Sequence, residues 1–377
     1  MKEVYITKTS HFLPNEPVTN DQMESKLGYV DGKTSRARRI VLRNNGIITR
    51  YYALDKNGNS THNNADLTAA AIQSILNDTK TPKSVELLSC GTSTPDNLLP
   101  AHASMVHGLL DVKTIELNTA SGVCCSGMSA LKYGYLAIKA EDKNNAICTG
   151  SERVSTWMQG HKFDKEVENL KKLEEQPVVG FKKDFLRWML SDGAGAFLLE
   201  NEPKGETPLR IEWMHAYSYA NELEACMYAG GDKAEDGSLK PWSEYKPENW
   251  LKESIFSLKQ DVKILDEFVS KKGVESLKDV LKKKEIDVAT IDYFLPHISS
   301  FYFGDRLQDA MKDAGIFIPK DKWFTNLADV GNIGSASIYL IIDALVNSGK
   351  LIKGDRLLVA VPESGRFSYF YSLLTVC

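Results

Sequence analysis

The segment Asn118-Thr-Ala-Ser-Gly-Val-Cys-Cys-Ser-Gly-Met-Ser-Ala-Leu-Lys132 joins a β pattern to an α pattern. Ahead of it, Lys113-Thr-Ile-Glu-Leu117 reads as a strand. Met128 to Ala140, rich in small and apolar residues, reads as the helix that follows. A cysteine at such a junction sits at the positive end of the helix dipole, where unpaired backbone N–H groups point outward. A thiolate is stabilised there and can act as a nucleophile near neutral pH. Ser121, Gly122, Ser126 and Gly127 leave room for a sharp turn and for a substrate to approach the backbone. A second reading stands beside this one. Cys124 and Cys125 are then two small buried residues filling a tight junction, a common role of free cysteine.

The whole chain has 377 residues, more than one average domain, and suggests two domains or one duplicated unit. Its 42% hydrophobic and 25% charged content are those of a soluble globular protein. A formal net charge of −4, with Ser35-Arg-Ala-Arg-Arg39 as the main basic run, read as part of a loop region, gives no reason to expect nucleic-acid binding. Six cysteines in a chain this long do not make a disulfide scaffold, and reduced thiols in a cytoplasmic protein are expected. The N-terminus lacks a signal-peptide core, and no apolar run reaches membrane-spanning length. No His/Cys cluster has metal spacing, and no Gly-rich turn resembles a phosphate loop or dinucleotide fingerprint.

Strands and helices alternate along the chain, which argues α/β architecture. Val4–Ile6, Val85–Ser89, Asn145–Glu152, Leu209–Met214, Ile291–His297, Leu357–Val361 and Tyr369–Val376 read as strands. Asn20–Leu27, Asn64–Leu76, Pro100–Leu110 and Asp305–Ala314 read as helices. Trp250–Lys284 reads as two helices split near Lys271-Lys-Gly273. The charged, irregular stretch from Val154 to Met189, with a solvated helix over 165–175, reads as an insertion over the main body. Tyr217–Trp250 reads as a long excursion that could wall a substrate site. Each half of the chain carries a strand, a small-residue turn and an apolar helix, Cys125 to Ala140 in the first and Asn332 to Val346 in the second. We therefore expect an N-terminal unit over 1–205, with its insertion at about 154–190, and a C-terminal unit over 206–377.

Cys125, His297 and Asn332 stand in comparable places, each at a turn after a strand or loop. A nucleophilic cysteine needs a positioned base, and a thioester carbonyl that becomes an enolate needs neutral hydrogen-bond donors. By spacing alone this signal is weak. The local motifs add to it. Cys125-Ser-Gly-Met resembles the Cys-Ala-Gly-Phe signature of the ketoacyl synthase III group within the thiolase superfamily. Asn326-Leu-x-x-x-Gly-Asn332, followed by Ser335-Ala-Ser, resembles that group's asparagine motif, and Pro296-His297 falls where its histidine is expected. Asp192-Gly-Ala-Gly-Ala196, Gly365-Arg-Phe367 and Asn45-Gly-Ile-x-x-Arg50 resemble its mid-chain turn, C-terminal glycine loop and early arginine segment. The matches follow family order from about residue 4 to 376.

This resemblance implies a five-layer αβαβα fold of two duplicated halves, a homodimer, and no permanently bound cofactor or metal. Its substrates would be acyl thioesters of coenzyme A or of the phosphopantetheine arm of an acyl carrier protein. Cys125 would take the acyl group. His297 and Asn332 would stabilise the enolate of a second thioester in a Claisen-type condensation. The backbone N–H groups of Cys125 and Gly365 would form the oxyanion hole.

The chain departs from the group's usual pattern in places. His297-Ile-Ser-Ser-Phe-Tyr302 lacks the arginine that docks an acyl carrier, with Arg306 one turn further on. Arg39 to Val41 stand where a coenzyme-stacking tryptophan is usual, Arg366 replaces a loop glycine, and Cys124 before the nucleophile is unusual. The opening, from Phe12-Leu-Pro-Asn15 to Arg50-Tyr-Tyr-Ala53, is similar to the dialkylresorcinol-type condensing enzymes of secondary metabolism. These join two acyl thioesters and close a cyclohexanedione ring. The alternatives are a fatty-acid-initiating 3-oxoacyl synthase III, a catalytically silent partner of an active synthase, and an acyl-shuttling or hydrolytic relative. His102, His107 and His215 read as structural groups.

Overall fold

The computed structural model describes residues 2–29, 32–35, 38–78, 84–162, 186–253 and 255–377. The helix expected over 165–175 lies outside them. Nine strands make the main sheet: β1 (Tyr5–Phe12), β2 (Leu87–Thr92), β3 (Glu116–Ser121), β4 (Asn145–Glu152), β5 (Gly193–Glu200), β6 (Leu209–Ser218), β7 (Tyr293–Pro296), β8 (Arg356–Glu363) and β9 (Ser368–Val376). Their order across the sheet is β7-β8-β9-β6-β1-β5-β4-β2-β3. The described helices are α1 (Met23–Leu27), α2 (Arg38–Asn45), α3 (Asn64–Leu76), α4 (His102–His107), α5 (Cys125–Lys139), α6 (Pro247–Lys252), α7 (Val262–Lys283), α8 (Phe301–Asp313), α9 (Leu327–Val330) and α10 (Ser337–Val346).

The strand order repeats. On one side β3-β2-β4-β5-β1 runs parallel, parallel, antiparallel, antiparallel. On the other side β7 pairs parallel with β8, β8 antiparallel with β9, and β9 antiparallel with β6. The counterpart of β3 has shrunk to one parallel bridge, Phe294 to Trp323. The two runs meet where Tyr5 and Ile6 of β1 pair with Arg210 and Leu209 of β6.

The central helices explain why the halves close on one another. Ser337-Ile-Tyr-Leu-Ile-Ile-Asp-Ala-Leu-Val346 is apolar around most of its circumference, and such a helix has to be buried on every face. Accordingly, α10 contacts β1 and β5 of one half and β7 of the other, while α5 contacts β2 and β4 as well as β8 and β9. Ile338, Leu340, Ile341, Ile342 and Leu345 are all buried in the shared core. Each such side chain contributes roughly 1.5–3 kcal/mol relative to exposure. The outer layers are amphipathic. α3 and α4 cover one half, around Leu67, Ile72, Ile75 and Val106. α7 and α8 cover the other, around Leu265, Leu277, Val280 and Met311. Helix, sheet, helix, sheet, helix is the thiolase-like αβαβα arrangement.

Three local expectations change. α5 begins at Cys125, about one turn before the expected start, with Cys124 at its N-cap. α7 runs unbroken for 22 residues through Gly273. That glycine is retained for packing: a Cβ there would stand 3.2 Å from the Tyr369 ring. The basic stretch near residue 38 is the helix α2 rather than a loop.

Candidate active site

The asparagine loop reaches the cysteine junction because glycine backbones let it in. A Cβ on Gly127 of α5 would lie 2.2 Å from the Ser335 carbonyl oxygen, and one on Gly150 of β4 would lie 2.3 Å from it. Ser335 Oγ donates to the carbonyls of Gly91 (3.3 Å) and Ser151 (3.0 Å). The Tyr339 hydroxyl donates to Gly127 O at 2.9 Å. The turn after Asn332 is thus wedged between β2, β4 and the first turn of α5.

A cavity of about 370 Å³ opens at this junction, and Cys124, His297 and Asn332 all line it. Asn332 is pinned through its backbone: its N–H donates to Met189 O and its carbonyl accepts from Ser191 N–H, both at 2.9 Å. Its side-chain Oδ1 accepts from Gly334 N–H at 2.9 Å. That bond settles the amide orientation and leaves the NH₂ end free to donate to a substrate carbonyl. His297 follows β7, and its N–H donates to Ala360 O at 2.8 Å. Burial pushes its imidazole pKa down to about 4. The ring is therefore neutral near neutral pH, able to accept one proton and to donate another.

Cys125 does not join this group. Its thiol turns toward the β8–β9 hairpin and donates to the carbonyls of Val361 (3.4 Å) and Ser368 (3.7 Å). Of the two cysteines it is Cys124 that lines the cavity, one residue before the expected nucleophile Cys125. The physical reason is helical phase, since one residue turns a side chain by about 100°. Gly127 carried the signal that could have decided it. Positions i and i+3 share a helix face, so the face that meets the Asn332 loop at Gly127 is that of Cys124.

One of the two N–H groups expected to form the oxyanion hole has a partner in this structure. The N–H groups of Val123 and Cys125 both donate to Glu363 Oε2, at 3.1 Å each. The Cys125 N–H is thus already committed. Ser364, next to Gly365, lines the cavity. Burial, then Glu363, then Glu152 push the Cys124 thiol pKa up. The helix-dipole stabilisation of a thiolate expected from the sequence is thereby offset.

Two carboxylates at the site had no sequence signal. Glu363 is one. Glu152, at the end of β4, lines the cavity. It accepts from Ser93 N–H (3.1 Å), Ser93 Oγ (2.6 Å), Thr94 Oγ1 (2.7 Å) and Ser335 N–H (3.2 Å). It ties the 93–94 loop to the asparagine turn. Arg306, considered for carrier docking, pairs with Asp266 at 2.7 Å and lies over the Tyr302 ring. Of the 217–250 excursion, Met227, Tyr228 and Ala229 reach the cavity. Trp242 packs instead with Trp250 and Phe256. Among the described residues, no group of three or more His, Cys, Asp or Glu side chains could hold a metal ion, and no helix is long and apolar enough to cross a membrane.

Residues 51–181 match the thiolase N-terminal domain, and residues 281–365 match the C-terminal domain of 3-oxoacyl-[acyl-carrier-protein] synthase III. This chain is a thiolase-superfamily condensing enzyme of the synthase III type. It is 25% identical over 360 residues to the β-ketoacyl-[acyl-carrier-protein] synthase III of Clostridium perfringens, covering 95% of each chain. This condensing enzyme also shares its fold with the tetronic acid condensing enzyme AbyA1, at TM-score 0.75, 20% identity and 99% coverage of both chains. Xanthomonas campestris OleA, solved with lauric acid and lauroyl-CoA, superposes at TM-score 0.74 with 18% identity and 99% coverage of both chains.

Proposed function

We propose that this enzyme transfers an acyl group from a thioester carrier to Cys124 and condenses it with a second acyl thioester. The observation that supports this most is that Cys124, His297 and Asn332 line the same cavity. In the first half-reaction, the Cys124 sulfur attacks the thioester carbonyl while its proton passes to the neutral His297 ring. The carrier's C–S bond breaks, and the departing thiolate takes that proton. In the second, His297 and the Asn332 NH₂ group hold the carbonyl oxygen of the incoming thioester as its α-carbon loses a proton and becomes nucleophilic, and that proton restores the Cys124 thiol at the end of the step. That carbon attacks the acyl group on Cys124, and the Cys124 C–S bond breaks. The N–H groups of Cys124 and Gly365 serve the oxyanion of the acyl-transfer step.

The substrate class we propose is a pair of extended acyl thioesters, carried on coenzyme A or an acyl carrier protein, joined in a secondary pathway with closure of a cyclohexanedione ring. Two apolar walls support this over initiation from a two-carbon unit. Trp157, Leu186, Met189 and Leu190 form one; Leu265, Val269, Leu277, Phe303 and Leu307 form the other. We further propose a homodimer through β3. Among the described residues this edge strand has no partner on its outer side, and Leu98, Leu99, Tyr133 and Leu136 are exposed.

The test is product analysis with matched pairs of acyl thioesters. A carbon–carbon product from longer chains is expected. Asn332→Ala should acylate Cys124 yet lose condensation, and His297→Ala should be impaired in both half-reactions. Acylation followed only by hydrolysis in the wild type would overturn the condensing role. Products from acetyl thioesters alone would favour the fatty-acid-initiating alternative.

A further inference from the structure

Glu152, the last residue of β4, is buried and lines the cavity. Its Oε1 accepts from the N–H groups of Ser93 (3.1 Å) and Ser335 (3.2 Å). Its Oε2 accepts from Ser93 Oγ (2.6 Å) and Thr94 Oγ1 (2.7 Å). Two donors on each oxygen fill the roughly four lone-pair sites of a carboxylate. A general base needs one of those sites empty for the proton it takes, so this carboxylate is built as a strut. What it supports is the turn that carries Asn332. A Cβ on Gly334 would stand 3.0 Å from both Cγ and Oε1 of Glu152, so the backbone of the turn rests on the acid. Gly334 has φ +49°, which glycine adopts without strain. From there its N–H donates to Asn332 Oδ1 at 2.9 Å, the bond that decides which end of the amide is free to donate. The other anchors hold Asn332 by its own backbone and Ser335 by its hydroxyl. Gly334, between them, has Glu152 against it.

We propose that Glu152 is a positioning residue for the second half-reaction: it holds Gly334 and Ser335 so that Asn332 presents its NH₂ group to the carbonyl oxygen of the incoming thioester. The inference rests on the condensing role proposed above and is independent of which cysteine carries the acyl group. Glu152 acts through Asn332 and not on the reacting atoms. Its charge is therefore dispensable. The hydroxyls of Ser93 and Thr94 can accept as well as donate, so a glutamine at 152 can keep all four contacts. Its carbonyl oxygen then serves the two N–H groups, and its NH₂ serves the two hydroxyls. The length of the side chain and its acceptor for the Ser335 N–H are what the turn requires. Acyl loading of the cysteine does not use Asn332 and is spared when the strut is removed.

The test compares acyl loading, read by intact mass, with single-turnover condensation of two acyl thioesters. The proteins are wild type, Glu152→Gln, Glu152→Ala, Asn332→Ala and the Glu152→Ala/Asn332→Ala double variant. Glu152→Gln should condense within about tenfold of wild type. Loss of condensation in a folded Glu152→Gln protein would show that the acid is needed for its charge or its proton, and would overturn the positioning role. Glu152→Ala should load at nearly the wild-type rate and condense about 100-fold more slowly, the cost of a displacement of about 1 Å between reacting groups. On the Asn332→Ala background the same change should cost less than about threefold, because the two residues act as one unit. The full loss repeated on that background would overturn the inference. If Glu152→Ala fails to fold, Gly334→Ala presses on the same contact from the other side and should give the same split; equal losses of loading and condensation would count against the proposal. A crystal structure of either alanine variant needs no activity. The Asn332 Oδ1 bond to Gly334 N–H should be broken there and kept in Glu152→Gln, and an undisturbed Asn332 would refute the inference. A wild type that loads but forms no carbon–carbon bond would instead count against the condensing role, and the position of Asn332 would still decide this one.

Discussion

Gly127→Ala probes the joint between the cysteine helix and the asparagine turn. The added methyl would start 2.2 Å from the Ser335 carbonyl oxygen and 3.1 Å from Tyr339 Cε2, where ordinary contact begins at 3.4 Å. The nearer obstacle is backbone, held by the Ser335 hydroxyl on Gly91 and Ser151 and by the Tyr339 hydroxyl on Gly127 itself. It cannot rotate away as a flexible side chain would. Relief requires α5 and the 334–336 turn to part by about 1 Å. Overpacking of this kind costs roughly 1–3 kcal/mol of stability. A displacement of that size between reacting groups costs on the order of 100-fold in rate. The two half-reactions should separate. Acyl loading follows Cys124 and should persist, whereas condensation needs Cys124 and Asn332 in register and should fall by about two orders of magnitude. Thermal melting and single-turnover assays of loading and condensation read these quantities. Wild-type stability together with wild-type condensation in Gly127→Ala would refute the wedged geometry.

Further outcomes follow from individual contacts. Leu277→Trp should fill the α7 wall of the cavity and shift preference toward shorter acyl chains; an unchanged ranking in an acyl-thioester competition would remove that wall from the acyl site. Asp192 is buried and accepts from the N–H groups of Ala53 (2.7 Å), Val154 (2.7 Å) and Ser155 (2.9 Å). Asp192→Ala leaves these donors unsatisfied and should destabilise the fold by about 3 kcal/mol or more in denaturant titration. A loss under about 1 kcal/mol would contradict this. His11 Nδ1 lies 2.6 Å from Asp343 Oδ2, and this bond raises the imidazole pKa. A raised folded pKa means that the pair's stabilisation is complete below the ordinary histidine value of about 6.5 and is lost as pH rises through the folded value. Melting temperatures of wild type and His11→Gln should therefore converge on going from mildly acid to mildly alkaline buffer. His11 is half exposed, so the effect should be small; a gap that widens with pH would reverse the sign.

Much of the architecture is legible in residue patterns. Asn64–Leu76 shows its helix through apolar spacing, and the Asn63/Asp66 capping box fixes its start. The run at 338–346, apolar except for Asp343, demands a buried helix with sheet on both sides of it. The duplicated strand order is harder to see because the counterpart of β3 survives as a single bridge at Trp323. Which cysteine faces the cavity is hard to read because two identical residues sit side by side at an N-terminus, and a helix start placed at Met128 leaves both in the turn. Gly273 reads as a break, yet tertiary packing against Tyr369 overrides its weak helix preference. Glu363 was invisible for a different reason. Its partner Cys125 is 238 residues away, and no local pattern marks a glutamate that ends a strand as the acceptor for a distant helix.

The most direct measurement is to load the protein with an acyl thioester and locate the adduct in wild type, Cys124→Ala and Cys125→Ala. We expect one acyl-sized mass increase on the peptide containing both cysteines, kept in Cys125→Ala and lost in Cys124→Ala. An adduct that survives in a folded Cys124→Ala protein and disappears in Cys125→Ala would contradict the assignment of the nucleophile to the cavity-facing cysteine.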